Sequence, residues 1–154
     1  MRHGVERWTW SRYGDQHMTS VLVGQTYFLR FDPKLYEQMQ PYPPLGSLYA
    51  AAILREAGHA VSFFDAMLAA SEDEFAAALD RAKPRVALLY EDNFNYRSKM
   101  GLLRMREAVF TMSGMARARG VRVIVGGSDA TDHAAEYLQA GADVVLIGEG
   151  DATI

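Results

Sequence analysis

Apolar residues along this chain gather into short runs, and stretches of helical period separate them. Val21-Leu22-Val23, Ala60 to Phe64, Val86 to Tyr90, Val121 to Val125 and Val144 to Ile147 are such runs and predict strands; Val21-Leu22-Val23 is continuous, consistent with a strand covered on both faces. Ser47 is placed to cap a helix through Ala57 that Gly58 terminates. Ser71-Glu72-Asp73-Glu74 reads as a capping box opening a helix with Phe75, Leu79 and Ala82 on one face, which Pro84 ends. Leu102, Met105, Val109, Met112 and Met115 recur at three or four residues and mark a long helix closed at Gly120. A last helix is expected from about Asp132 to Ala140, before Gly141.

Three stretches show no clean period. Residues 1–19 form either a loosely packed arm or the product of an upstream start codon, with Met18 as the alternative start; residues 20–154 form one domain. Gly24 to Tyr42 and Glu91 to Lys99 are irregular connections, and connections this long inside a compact domain are usually functional. Five strands alternating with four helices predict an α/β fold, an open parallel sheet with helices on both faces. Right-handed crossovers and the chain length favour the flavodoxin-like (Rossmann-like) strand order 2-1-3-4-5.

Composition narrows the function classes. The 154 residues are 49% hydrophobic and 23% charged, ordinary for a globular protein that can bury roughly two thirds of its unfolded surface. A net charge of −3 gives no electrostatic footprint for nucleic acid. No cysteine is present, which removes disulfides, thiolate zinc sites and cysteine-held iron–sulfur clusters. No apolar run approaches the ~20 residues of a membrane span. The first residues, with Arg2, Arg7, Trp8, Trp10 and Arg12, lack the apolar centre of a secretory signal, so the cytoplasm is the expected compartment. His3, His17, His59 and His133 show no metal-ligand spacing, and the methionines of the long helix fit a core face.

In such sheets a ligand lies outside the carboxyl ends of the strands, where the strand order reverses. That rule selects Gly24, Gln25, Thr26 and Tyr27 after strand one and Tyr90, Glu91, Asp92, Asn93, Phe94 and Asn95 after strand three. Strand four contributes Gly126, Gly127, Ser128 and Thr131, and strand five Gly148, Glu149 and Gly150. The glycines sit where something large would approach the backbone. Neither a G-x-G-x-x-G dinucleotide turn nor a G-x-x-x-x-G-K-[ST] phosphate cradle is present. The acidic pair of a phospho-receiver after strand one is absent too.

Four segments carry a family likeness: Pro43-Pro44-Leu45-Gly46; the Ala-rich helix ending Arg55-Glu56-Ala57-Gly58-His59; Val125-Gly126-Gly127-x-x-x-Thr131; and Ala142-Asp143-x-Val145-x-x-Gly148-Glu149-Gly150. In this order the chain resembles, from about Val21 onward, the N-terminal cobalamin-binding domain of cobalamin-dependent radical S-adenosylmethionine enzymes. The resemblance implies cobalamin as cofactor. The Gly126-Gly127 turn would let its nucleotide tail approach the backbone, Ser128 and Thr131 would offer hydroxyls, and the following helix would offer free amides to the phosphate. The Tyr90 to Phe94 loop would border the corrin. The lower face of the cofactor would meet the Gln25 to Tyr27 loop or the Pro43 to Tyr49 segment, including Pro44, Leu45, Gly46 and Tyr49.

The chain also departs from related patterns. Many cobalamin domains hold cobalt with the histidine of a D-x-H-x-x-G motif after strand one; here Asp15-Gln16-His17 precedes that strand and lacks the glycine. The resemblance then implies a cofactor bound without a histidine under the cobalt. Radical chemistry in the family needs three cysteines, so S-adenosylmethionine and an iron–sulfur cluster would belong to a catalytic barrel joined in cis. Gly148-Glu149-Gly150 would mark the exit towards it, with the next helix missing or truncated. The chain then reads as part of an enzyme for methyl transfer or carbon-skeleton remodelling, not catalytic alone. Two alternatives stay open: an interaction domain that kept the fold and lost the cofactor, and a small nucleotide- or flavin-binding protein.

Overall fold

Each apolar run becomes a strand in the computed structural model, which describes residues 18–91 and 102–148. The strands are β1 (Ser20–Gln25), β2 (Ala60–Phe64), β3 (Val86–Glu91), β4 (Arg122–Gly127) and β5 (Val144–Leu146). They form one sheet in the order β2-β1-β3-β4-β5, and every neighbouring pair is parallel. This is the expected flavodoxin-like order.

The helices are α1 (Pro33–Gln38), α2 (Leu45–Glu56), α3 (Asp73–Ala82), α4 (Leu102–Arg117), α5 (Ser128–Asp132) and α6 (Ala134–Ala140). On one face, Phe75 and Leu79 of α3 and Met105, Val109 and Met112 of α4 are buried against Leu22, Leu89, Val123 and Val125 of the sheet. Burying each such side chain is worth about 2 kcal/mol. On the other face α2 lays Ala50, Ala51 and Leu54 over Val21, Val23, Val86 and Leu88. Beside α2 a groove of about 270 Å³ remains open, walled by Leu54, Val86, Leu88, Ile124 and Leu146. Thr19, His59 and Arg122 supply its polar boundary at the amino ends of the strands.

The helix boundaries differ from the sequence pattern in four places. Gly24 to Tyr42 contains a 3-10 turn at Leu29–Phe31 and the helix α1. The Asp32 carboxylate caps α1 by accepting from the Leu35 amide at 3.1 Å, and Pro33 supplies a preset φ at the first position. Six residues are too few to show a period. Helix α2 starts at Leu45, so Ser47 lies inside its first turn and does not cap it. The Ser71 motif closes one residue off the ideal box: Ser71 Oγ accepts from the Asp73 amide at 3.3 Å, while Glu74 reaches back to the Ala70 amide at 2.6 Å. The last expected helix is two, because His133 departs from helical dihedrals (φ −123°, ψ 30°) between α5 and α6.

Candidate functional site

Parallel register brings the separated loops onto one line. Gln25 pairs with Tyr90, Tyr90 with Gly126, and Gly126 with Leu146, so a single rung crosses four strands at their carboxyl ends. Glu91 and Gly127 pair on the next rung. Strand order reverses at β1, which has β2 on one side and β3 on the other. The Gln25–Tyr90 part of the rung therefore lies at the topological switch where an open α/β sheet takes its ligand, with Gly126 on the next strand.

Gly126 is the low point of this rung. A Cβ built there would lie 3.3 Å from Leu146 Cδ1 and 3.4 Å from Tyr90 Cδ2, so the missing side chain leaves a cradle between those two residues. Gly126 sits two residues beyond Ile124, a wall of the groove beside α2, on the same sheet face. Gly127 follows with φ 138°, a value that L side chains rarely adopt, and turns the chain directly into α5 at Ser128.

The β1 loop is built from buried polar groups. Gln25 Oε1 accepts from the Tyr27 amide at 3.0 Å and the Ala66 amide at 3.2 Å, tying the ends of β1 and β2 together. Tyr27 donates its hydroxyl to Asp32 at 2.8 Å, and its ring tilts against Tyr42. Between them Thr26 is 0% exposed, and its hydroxyl lacks any hydrogen-bond partner. Buried polar groups are nearly always satisfied. An orphaned hydroxyl at the switch point is therefore a group that a bound ligand can satisfy.

Helix α2 fixes the other border. Ser47 is fully buried, and its hydroxyl donates to the Tyr90 carbonyl at 3.0 Å, locking the first turn of α2 to the end of β3. Pro44 is buried and Gly46 half-buried, while Leu45 and Tyr49 are 68% and 67% exposed on the outer side of the helix. Asp92, Asn93, Phe94 and Glu149, the side chain of Glu91, and the Asp15-Gln16-His17 segment lie outside the described residues.

The strongest electrostatic feature went unread in the sequence. Asp129, in α5, is buried and takes a two-pronged hydrogen bond from Arg106 of α4, at 2.7 and 2.6 Å, and a third from the Tyr137 hydroxyl of α6 at 2.7 Å. Burial by itself pushes the Asp129 carboxyl up, but the Arg106 and Tyr137 hydrogen bonds and the Arg106 charge hold it below its ordinary value. The Asp129 hydrogen bond raises Arg106 above its already high value. His133 lies 3.8 Å from Asp129 and 2.9 Å from Glu136. Nothing in the pattern marks Arg106 out from the other arginines of α4, since only the fold brings it to Asp129.

Thr131 is committed within the site. Its hydroxyl donates to the Gly127 carbonyl at 2.8 Å and accepts from the Gly148 amide at 3.0 Å. It therefore links the turn after β4 to the chain leaving β5. Among the described residues no cluster of His, Asp or Glu has the grouping to hold a metal ion. None of their helices is long and apolar enough to cross a membrane.

An open parallel sheet with bare glycine backbone at its carboxyl edge, beside the switch point, has the architecture of a ligand-binding α/β domain. The B12 binding domain family matches residues 39–154, and the chain belongs to that family, whose cofactor is cobalamin. In three dimensions the chain is similar to OxsB, a cobalamin-dependent S-adenosylmethionine radical enzyme solved with aqua-cobalamin and S-adenosylmethionine bound. The TM-score is 0.62 at 12% identity, over 88% of this chain and 17% of that one, a likeness of fold. The chain thus corresponds to a minor share of that enzyme's length. No curated protein matches the sequence.

Proposed function

We propose that this chain is the cobalamin-holding module of a radical S-adenosylmethionine enzyme that acts in methyl transfer or carbon-skeleton remodelling. The observation that carries the reading is the bare backbone at Gly126, walled by Tyr90 and Leu146 on the rung at the carboxyl ends of the strands. Its apolar walls suit a flat base, and the turn at Gly126-Gly127 leaves the backbone accessible to a nucleotide tail. Thr26 would supply a hydroxyl to the cofactor's amide-rich rim, satisfying the one buried side-chain atom left without a partner among the described residues.

In this reading Gln25, Thr26 and Tyr27, with Pro44, Leu45, Gly46 and Tyr49, border the lower face of the corrin. Tyr90 and Glu91 with the Asp92-Asn93-Phe94 stretch border its rim, and Ser128 meets the tail. None of the four histidines belongs to these segments, which supports binding without a histidine under the cobalt. Cobalamin, when bound, supplies a redox-active cobalt for chemistry that the protein side chains lack. In this reading the iron–sulfur cluster and S-adenosylmethionine belong to a catalytic barrel in cis, since these residues hold no cysteine to bind a cluster, and the enzyme works in the cytoplasm.

A second reading, an interaction domain without cofactor, draws support from the exposed Leu45 and Tyr49 on α2. Incubation with hydroxocobalamin, desalting and a visible spectrum separates the two. Retained corrin absorbance at near-stoichiometric level is expected, and a colourless protein would favour the interaction domain.

A further inference from the structure

Thr131 holds two segments together at its own hydroxyl: Gly127, four residues back at the turn after β4, and Gly148, 17 residues on after β5. A hydroxyl that donates its proton becomes a better acceptor, so the bond to the Gly127 carbonyl strengthens the one from the Gly148 amide. The helix carrying Thr131 is itself clamped. Asp129 of the same five-residue helix is gripped by Arg106 from α4 and Tyr137 from α6. A clamped helix moves little on its own, so a change at the turn is passed on through the hydroxyl instead of being absorbed by α5.

We propose that Thr131 is a positioning residue that couples ligand occupancy of the Gly126-Gly127 turn to the order of the segment leaving β5. This rests on the cobalamin reading of that turn, and it gives the Thr131 side chain a role other than direct contact with the cofactor. A ligand seated on the turn restrains the Gly127 peptide and thereby the Thr131 proton and the Gly148 amide. Linkage makes the coupling reciprocal: whatever holds Gly148 in place tightens the turn for its ligand. The carboxyl edge of the sheet and the exit of the domain then respond to the cofactor together.

The test uses the full 154-residue chain labelled with 15N-glycine, as wild type, Thr131→Val and Thr131→Ser, with hydroxocobalamin as the probe. Amide exchange at Gly148 is followed by NMR, and cobalamin affinity by absorbance titration. Without ligand, Gly148 is expected to exchange about tenfold faster in Thr131→Val, with Thr131→Ser close to wild type, as for loss and retention of one hydrogen bond. Hydroxocobalamin is expected to slow Gly148 further in wild type and Thr131→Ser but not in Thr131→Val, and to bind Thr131→Val several-fold more weakly. A thermal melt of each variant confirms that it is folded. Should Thr131→Val fail to fold, the comparison of wild type with and without ligand decides alone. Equal Gly148 exchange in all three proteins overturns the coupling, as does cobalamin binding that leaves Gly148 exchange unchanged. A wild type that retains no hydroxocobalamin sinks the cofactor reading and the coupling with it, and the ligand-free Gly148 comparison tells that failure from a missing hydrogen bond.

Discussion

Arg106 grips Asp129 with one edge of its guanidinium, Nε at 2.7 Å and Nη2 at 2.6 Å from the two carboxylate oxygens, with both side chains largely out of solvent. This geometry makes the pair a clamp on the short helix after the glycine turn, and the Tyr137 hydroxyl completes it. Removing Asp129 leaves the largely buried Arg106 with the longer, 3.3 Å contact to the half-exposed Glu136. Asp129→Ala is expected to cost about 3 kcal/mol, read as a shift in the urea midpoint. A midpoint within error of wild type would show that the clamp carries no stability.

Acid should reveal the same pair. The folded state holds Asp129 below the usual carboxylate range, so its contribution is complete above about pH 4 and fades as pH falls through the depressed value. Asp80 is shifted in the same direction by Arg119, but that pair is exposed and screened by solvent. Urea midpoints measured between pH 6 and pH 2 should therefore fall less steeply for Asp129→Asn than for wild type. Asp80→Asn should track wild type.

Thr26 offers a test in which the sign carries the answer. Its orphaned hydroxyl is a cost in the ligand-free protein, so Thr26→Val should raise stability by about 1 kcal/mol. The same variant should lower the affinity for hydroxocobalamin, because the group that meets the cofactor is gone. Higher stability with unchanged affinity would remove Thr26 from the site.

The Gly126 cradle separates fold from ligand. Gly126→Ala places its Cβ at 3.3 to 3.4 Å from two side-chain atoms that can yield, and should cost under about 1 kcal/mol. Gly126→Leu fills the space between Tyr90 and Leu146 and should reduce retained corrin absorbance at least about tenfold in a protein that still melts cooperatively. Full retention by Gly126→Leu would move the ligand elsewhere. Gly127→Leu needs a different reading, since φ 138° strains any side chain there before a ligand arrives.

Ser47 should matter to both. Ser47→Ala removes the hydroxyl bond that ties the first turn of α2 to the Tyr90 carbonyl, and a loss of about 1 kcal/mol is expected by chemical denaturation. Ser47→Thr keeps the hydroxyl and serves as the control.

Much of the site was legible because its signals are local. Glycines after an apolar run mark the end of a strand, and Gly126, Gly127 and Gly148 carry that signal in the sequence. Ser47 misled, because a serine before an apolar stretch has the local chemistry of a cap. Its actual partner, the Tyr90 carbonyl, is 43 residues away. Helix α1 escaped for the opposite reason, since its Asp-Pro start was present but its six residues are too few for periodicity to show.

By itself the sequence determined the strands, their alternation with helices and the glycine turns that end them, because apolar runs and turn residues act on neighbours within a few positions. Only the tertiary structure decided that Gln25, Tyr90, Gly126 and Leu146 share a rung, that Arg106 closes on Asp129, and that Thr131 joins Gly127 to Gly148. Those relationships depend on strand register and helix packing across long sequence separations. A polar residue carries no mark of a distant partner until burial makes an unpaired group too costly to leave.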